Sequence, residues 1–351
     1  MKTYKLLVVT LLAIACSKCG DSSTKDSDLF SLQIAPSKKG YKTSESLSVT
    51  LNNKKNKAVD SVVYYLDNDR FMPANSKGAT TVSLSEVKLG VRTLQAKIYS
   101  DGEHFAAAEN ITVLASEKPE LYTYKIIETY PHDMDSYTQG LEFENNTLYE
   151  SAGLRKKSSL RKTNYKTGEV LQKVPLADEY FGEGLTILND KIYQLTYKRK
   201  TGFIYDLKTL DKIGTFVYGN SLEGWGLCND GTTIYKSDGT EKIWTLNPET
   251  LAEEDYIEIY TNTSRIKSVN ELEWIDGKIY ANIYQQDAVA IVNPKNGAVE
   301  GVINFKGLKD KVTQHDALDV LNGIAYNGEP NTLYITGKNW DKLFKVEVVK
   351  K

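Results

Sequence analysis

The chain has 351 residues, with 44 Lys+Arg against 46 Asp+Glu and a formal net charge of −2. That balance carries no basic footprint for nucleic acid, and the length admits a large core or two domains. Three Cys exclude a disulfide framework, and 23 Tyr favour β structure.

The first element in chain order is a targeting segment. Residues 1–15 join a basic start, "MKTYK", to the apolar run "LLVVTLLAIA", and a small residue precedes Cys16. The pattern resembles a bacterial lipoprotein signal in which Cys16 becomes the lipidated first residue; an ordinary secretory signal is the alternative. The expected location is the cell envelope, with membrane contact only through the lipid. Residues 16–28 are polar and read as a flexible tether. Cys19 lies in it, which leaves Cys228 as the thiol of the folded part. No apolar stretch of membrane-spanning length follows the signal.

Residues 29–115 alternate in short runs such as "SLSVTLNN", "SVVYYLDN" and "RTLQAKIYS", separated by turn residues. This spacing predicts a small immunoglobulin-like β-sandwich. Nothing here gathers His, Cys or carboxylates, so a spacer or adhesion role is expected. "SEKPE", residues 116–120, reads as a linker.

Residues 121–351 repeat. Five segments open alike, "TQGLEF", "GEGLTI", "GWGLCN", "NELEWI" and "LNGIAY", and each leads to a short strand with a central tyrosine. Those tyrosines are Tyr149, Tyr193, Tyr235, Tyr280 and Tyr334, at spacings of 44, 42, 45 and 54 residues. Four short strands per unit of about 45 residues is the pattern of a β-propeller blade. The fifth copy stops after its third strand, and the upstream run "LYTYKIIETY" supplies the fourth. The prediction is an all-β chain with a five-bladed propeller closed by strands from its two ends, leaving no open edge.

In a blade the first strand lines the central channel. The five equivalent entry residues are Gln139, Glu183, Trp225, Asn270 and Asn322. Loops after the second strands return to the same rim with Tyr197 and Lys198, Asp238, Tyr284, Lys338 and Trp340. Tyr137 and Phe181 precede two of the entries. Convergent, chemically different polar groups at a concave centre define a binding site. The alternative for any one ring is packing at the channel top.

"YTQGLEF", "FGEGLT", "EGWGL", "VNELEW", "DVLNGIAY" and "TGKNW" together resemble the plant and bacterial glutaminyl-peptide cyclotransferase family. The resemblance covers nearly all of residues 121–351 and none of the N-terminal module. It implies a five-bladed propeller that converts N-terminal glutamine of peptides or proteins to pyroglutamate with release of ammonia, without catalytic zinc. Glu183 matches the catalytic carboxylate, and Gln139, Trp225, Asn270 and Lys338 match active-site positions. One carboxyl that takes a proton from the attacking amine and returns it to the leaving nitrogen would do both jobs. Amides of Gln139 and Asn270 would hold the γ-amide or polarise its carbonyl; Lys338 would stabilise the oxyanion or position a peptide carbonyl. Tyr137 stands where the family usually has Phe, which adds a hydroxyl; Tyr197 and Tyr284 stand where Trp is typical, and these two smaller rings are expected to widen the bowl.

No cofactor is required on this reading. Asp133 and Asp319 read first as solvated turn residues and second as a rim or structural calcium site. The expected assembly is a monomer. Two other functions fit a propeller: a non-catalytic surface binder of peptide or glycan, and a calcium-dependent lactonase-type hydrolase. The latter needs several ligands around one metal, whereas the entries supply one carboxylate.

Overall fold

The computed structural model describes residues 26–71 and 78–351, and these residues are all-β apart from two helical turns. The signal segment, Cys16 and most of the tether lie outside the described residues. No helix among the described residues is long and apolar enough to cross a membrane.

Five four-stranded antiparallel arrays follow one another from residue 138. The first comprises Thr138–Glu144, Thr147–Ala152, Ser159–Asn164 and Glu169–Pro175. The second comprises Gly182–Leu188, Lys191–Thr196, Thr201–Asp206 and Lys212–Val217. The third begins at Leu227–Asn229 and ends at Glu253–Glu258; the fourth begins at Val269–Ile275 and ends at Val299–Asn304. The fifth takes Leu321–Ala325, Thr332–Gly337 and Lys342–Lys350 from the end of the chain and Glu120–Pro131 from upstream. The first strand of each array lies against that of the next, and the fifth against the first, so the arrays close into a ring.

The repeated tyrosines explain the ring's cohesion. Each pair of neighbouring arrays encloses one apolar cluster, and each cluster contains one of them: Tyr149, Tyr193, Tyr235, Tyr280 and Tyr334. A large ring that buries its body while keeping a polar tip suits a seam between wedge-shaped neighbours. Close approach at the centre requires glycine. A Cβ on Gly184 would lie 2.6 Å from the Cα of Gly226, well inside contact distance.

The upstream strand does more than complete the fifth array. Before pairing antiparallel with Lys342–Lys350, it pairs in parallel with the last strand of the fourth through Glu120, Leu121 and Tyr122. Arrays four and five thereby merge into one eight-stranded sheet.

Upstream, a three-stranded sheet (Phe30–Ala35, Ser46–Asn53, Thr80–Ser83) faces a five-stranded one built on Gly90–Ser100 and Glu103–Leu114. They share a core of Phe30, Leu47, Val62, Leu94, Ile98 and Val113, which also takes in Tyr260 and Ala298 from the ring. The module is therefore docked. Buried Arg92 pairs with Glu258 at 3.0 Å, and the amide of Ala115 donates to the carbonyl of Thr261. The expected linker is held as well, since Ser116 Oγ accepts from the amide of Ser44 at 2.8 Å. At the end of the expected tether, Asp26–Leu29 is a helical turn, and Asp26 accepts from the amide of Ala106.

Candidate functional site

The entry residues sit on irregularities in the innermost strands. Pairing between first and second strands shifts between Thr138 and Gly140, Gly182 and Leu185, Val269 and Leu272, and Leu321 and Ile324. Gln139, Glu183, Asn270 and Asn322 are the residues so displaced. A bulge re-aims the side chain it carries, which is how an inner strand presents a functional group at the ring's mouth.

Polar residues two positions after the repeated tyrosines brace these bulges from the neighbouring array. The Ser151 hydroxyl donates to the Glu183 carbonyl, and Gln194 Nε2 donates to Ser151 Oγ at 2.7 Å. Ser237 Oγ donates to the Asn270 carbonyl at 2.6 Å, and Asn282 Oδ1 accepts from the amide of Gly323 at 3.1 Å. None of the three was identified from the sequence, although their constant offset from the tyrosines was visible there.

Nine expected residues line one cavity of about 160 Å³: Tyr137, Gln139, Phe181, Glu183, Tyr197, Trp225, Asn270, Tyr284 and Lys338. Drug-sized pockets begin near ~300 Å³, so this one suits the end of a single residue. Its wall is a circuit of rings. Tyr137 meets Phe181 edge-on at 6.2 Å, Phe181 meets Tyr197 at 5.8 Å, Tyr197 meets Trp225 at 6.5 Å, and Trp225 meets Tyr284 at 5.5 Å. Lys338 Nζ completes the circuit, 5.1 Å from the Tyr284 ring and 4.9 Å from that of Tyr137.

Glu183 is 4% exposed. Burial pushes its carboxyl well above the usual carboxylate range; Lys338 opposes that rise and Glu223 adds to it. Burial pulls the Lys338 ammonium down, against the charges of Glu183 and Asp319. Each group is thus pushed toward its neutral form by desolvation and held back by the other. Among the described residues no hydrogen bond reaches the Glu183 carboxylate, which leaves it available to a ligand.

Glu223 was also missed from the sequence. Its Oε2 accepts from Trp225 Nε1 at 2.9 Å, and its Oε1 pairs with Lys198 at 3.2 Å. The loop that carries it is pinned by fully buried Lys236, which pairs with Glu253 at 3.0 Å and donates to the Glu223 carbonyl at 2.9 Å. Opposite, Glu150 accepts from Ser136 and Thr138 hydroxyls at 2.5 and 2.7 Å and from His132 at 3.3 Å. Burial alone would raise the Glu150 carboxyl, but His132 and Arg161 overcome it and hold it at about 2.

Four residues expected at this rim, Trp340, Asn322, Asp238 and Lys198, do not line the cavity. Trp340 is fully buried in the apolar cluster between arrays four and five, with Nε1 donating to the Asp319 carbonyl at 3.0 Å. Its ring fills the space left by the missing side chain of Gly337. Asn322 lies behind the wall and bonds to Asn270, Thr138 and Gln139. The next residue, Gly323, has φ +113, a left-handed conformation open to glycine. Asp238 faces an adjoining groove and accepts from Trp244 Nε1 at 2.8 Å.

The candidate calcium ligands have protein partners. Asp133 pairs with Arg161 at 2.6 Å, and Asp319 accepts from the Tyr137 hydroxyl at 2.5 Å. That bond gives the extra hydroxyl at position 137 its use. Among the described residues, no three His, Cys, Asp or Glu side chains are grouped to hold a metal ion.

The cavity's dominant feature is a desolvated carboxyl facing a lysine and two amides inside an aromatic wall. It can exchange a proton with a small polar ligand. A family model described as glutamine cyclotransferase matches residues 98–348. A glutaminyl-peptide cyclotransferase of Arabidopsis thaliana is 38% identical over 227 residues, which span 64% of this chain and 71% of the relative. The crystal structure of Myxococcus xanthus glutaminyl cyclase superposes with a TM-score of 0.61 at 31% identity, covering 67% of this chain and all of that one. The chain belongs to the glutamine cyclotransferase family.

Proposed function

We propose that this chain is a zinc-independent acyltransferase that cyclises N-terminal glutamine of peptides or proteins to pyroglutamate. The observation that carries this reading is Glu183, a buried carboxyl without a protein hydrogen bond, set against Lys338. The substrate's neutral α-amine attacks its own γ-amide carbon, a carbon–nitrogen bond forms, and the amide nitrogen departs as ammonia. Glu183 takes the amine's proton and hands it to the leaving nitrogen. A carboxyl raised by burial is better matched to that exchange than a solvated one. Lys338 supplies positive charge near the oxygen that becomes negative. A non-catalytic binder has no need of a proton shuttle, so Glu183 set against Lys338 favours the enzyme reading.

On the same proposal the ring is a five-bladed β-propeller, the upstream module is immunoglobulin-like, and Cys16 anchors the protein by lipid to the cell envelope. Detergent-phase partitioning lost in Cys16→Ser would support the anchor; unchanged partitioning would refute it. For the activity, the purified protein is incubated with a Gln-initiated peptide, and loss of one ammonia per peptide is followed by mass. Glu183→Gln is expected to lower kcat by ~10²–10⁴-fold with the fold retained. A peptide of unchanged mass, or a fully active Glu183→Gln enzyme, would refute the assignment. Chelators are expected to leave the rate unchanged.

A further inference from the structure

Asn322 stays out of the cavity, yet it governs what two cavity amides offer. A carboxamide has one donor end and one acceptor end, and half a turn exchanges them. The fixed point here is backbone. Asn322 Nδ2 donates to the Thr138 carbonyl at 2.9 Å; a carbonyl oxygen only accepts, so Nδ2 has to face it. The same Nδ2 donates to Gln139 Oε1 at 3.3 Å. On its other side Asn322 Oδ1 accepts from Asn270 Nδ2 at 2.9 Å.

The orientations of the two cavity amides follow. Gln139 is tied through its oxygen, which leaves Nε2 as its free end. Asn270 is tied through its nitrogen, which leaves Oδ1 free, and that oxygen is buried without a protein partner. Turning Asn270 over would set its oxygen against Asn322 Oδ1. Turning Asn322 as well would only move the clash to the Thr138 carbonyl.

We infer that Asn322 is a positioning residue that sets the cavity's polarity to read a primary carboxamide and reject a carboxylate. The inference rests on the glutaminyl reading above. The substrate's amide oxygen accepts from Gln139 Nε2, and its NH₂ donates to Asn270 Oδ1. That acceptor continues to hold the nitrogen as it gains a proton and leaves. A carboxylate in the same place offers no donor, so an oxygen would face Asn270 Oδ1, which is buried without a protein partner. Sites built around such a hydrogen bond reject analogues that lack it by up to ~10⁴–10⁵-fold.

The test compares KM for a Gln-initiated peptide with Ki for the matched Glu-initiated peptide, in the unaltered protein, Asn322→Ala and Asn322→Asp. The unaltered protein is expected to favour the amide by at least ~10³-fold, within the range such sites reach. Either substitution is expected to cut that preference by ~10-fold or more, the effect of one bond worth about one decade. The loss should fall mainly on KM, and in Asn322→Ala, which adds no charge, the acid limb of the pH profile should stay unmoved. A folded variant with an unchanged Gln-to-Glu ratio overturns the inference. If the variants do not fold, the unaltered protein supplies the second arm. A peptide starting with glutamate γ-methyl ester has acceptors and no donor, and should compete at least ~10-fold more weakly than its Gln counterpart; equal competition overturns the inference. No turnover of any Gln peptide would instead remove the proposed activity.

Discussion

Lys338 holds its ammonium 5.1 Å from the centre of the Tyr284 ring. That contact and its counterpart at Tyr137 make the lysine the cationic member of an otherwise aromatic wall. Its charge opposes the rise that burial gives Glu183. Lys338→Met should therefore push the Glu183 carboxyl higher and move the acid limb of kcat/KM to higher pH. Loss of one electrostatic partner at the developing oxyanion should also lower kcat by ~10²–10³-fold. Rate profiles from pH 4 to 10 check both; an unmoved limb would separate Lys338 from Glu183.

Glu223 should act in the opposite sense. Its charge adds to the rise at Glu183, while its Oε2 holds Trp225 Nε1. Glu223→Gln removes the charge and keeps an oxygen for the indole. The acid limb should move to lower pH with KM little changed. A raised KM and a static limb would mean that Glu223 serves only to place Trp225.

Three glutamates of the innermost strands, Glu271 and Glu273 buried and Glu142 partly so, tie one array to the next. Glu142 accepts from the amide of Ile187 at 3.1 Å, Glu271 from Ile324 at 3.0 Å, and Glu273 from Tyr326 at 2.8 Å. Burial raises Glu142 to about 8, against bonds from Thr186 and Ile187. A carboxyl raised by folding stays neutral in the native state while the unfolded chain ionises above about 4.3. Stability is then complete at low pH and declines as pH rises toward 8. Glu142→Gln, which keeps an acceptor for Ile187, should flatten that decline. Urea midpoints at pH 5 and 8 decide it: an equal loss at both would mean that the proton is irrelevant.

Arg92 and Glu258 fasten the upstream module to the third array, with both side chains about nine-tenths buried. Removing one partner of such a pair costs on the order of 3 kcal/mol, because the other charge is left stranded. Arg92→Met should lower the unfolding midpoint accordingly, and Arg92→Met with Glu258→Met should recover most of it. Calorimetry would report an uncoupled module as a separate transition with no midpoint loss in the ring.

Much of this was legible because it repeats. The five tyrosines placed the seams, and the entries of Gln139, Glu183, Trp225 and Asn270 placed the site. Repetition gives a position along the chain and says nothing of depth. Asn322 is equivalent to Glu183 by count, yet the left-handed turn at Gly323 leaves it behind the wall. Trp340 follows a glycine whose empty side draws the indole inward. Glu142 and Glu273 lie three residues past Gln139 and Asn270, where alternation alone reads them as ordinary strand positions. Arg92 and Glu258 are remote in sequence, and neither carries a local signature of its partner.

The strand Glu120–Pro131 has a consequence for how the molecule is made. It is made directly behind the upstream module, but its antiparallel partner, Lys342–Lys350, lies beyond all the other arrays in sequence. Until that partner is made, one flank of the nascent strand stays unpaired, and sheet edges in that state are open to wrong partners. Pairing between such distant segments is also slow. The finished active site, whose Lys338 lies just ahead of Lys342–Lys350, therefore waits on a pairing between two segments separated by the rest of the ring.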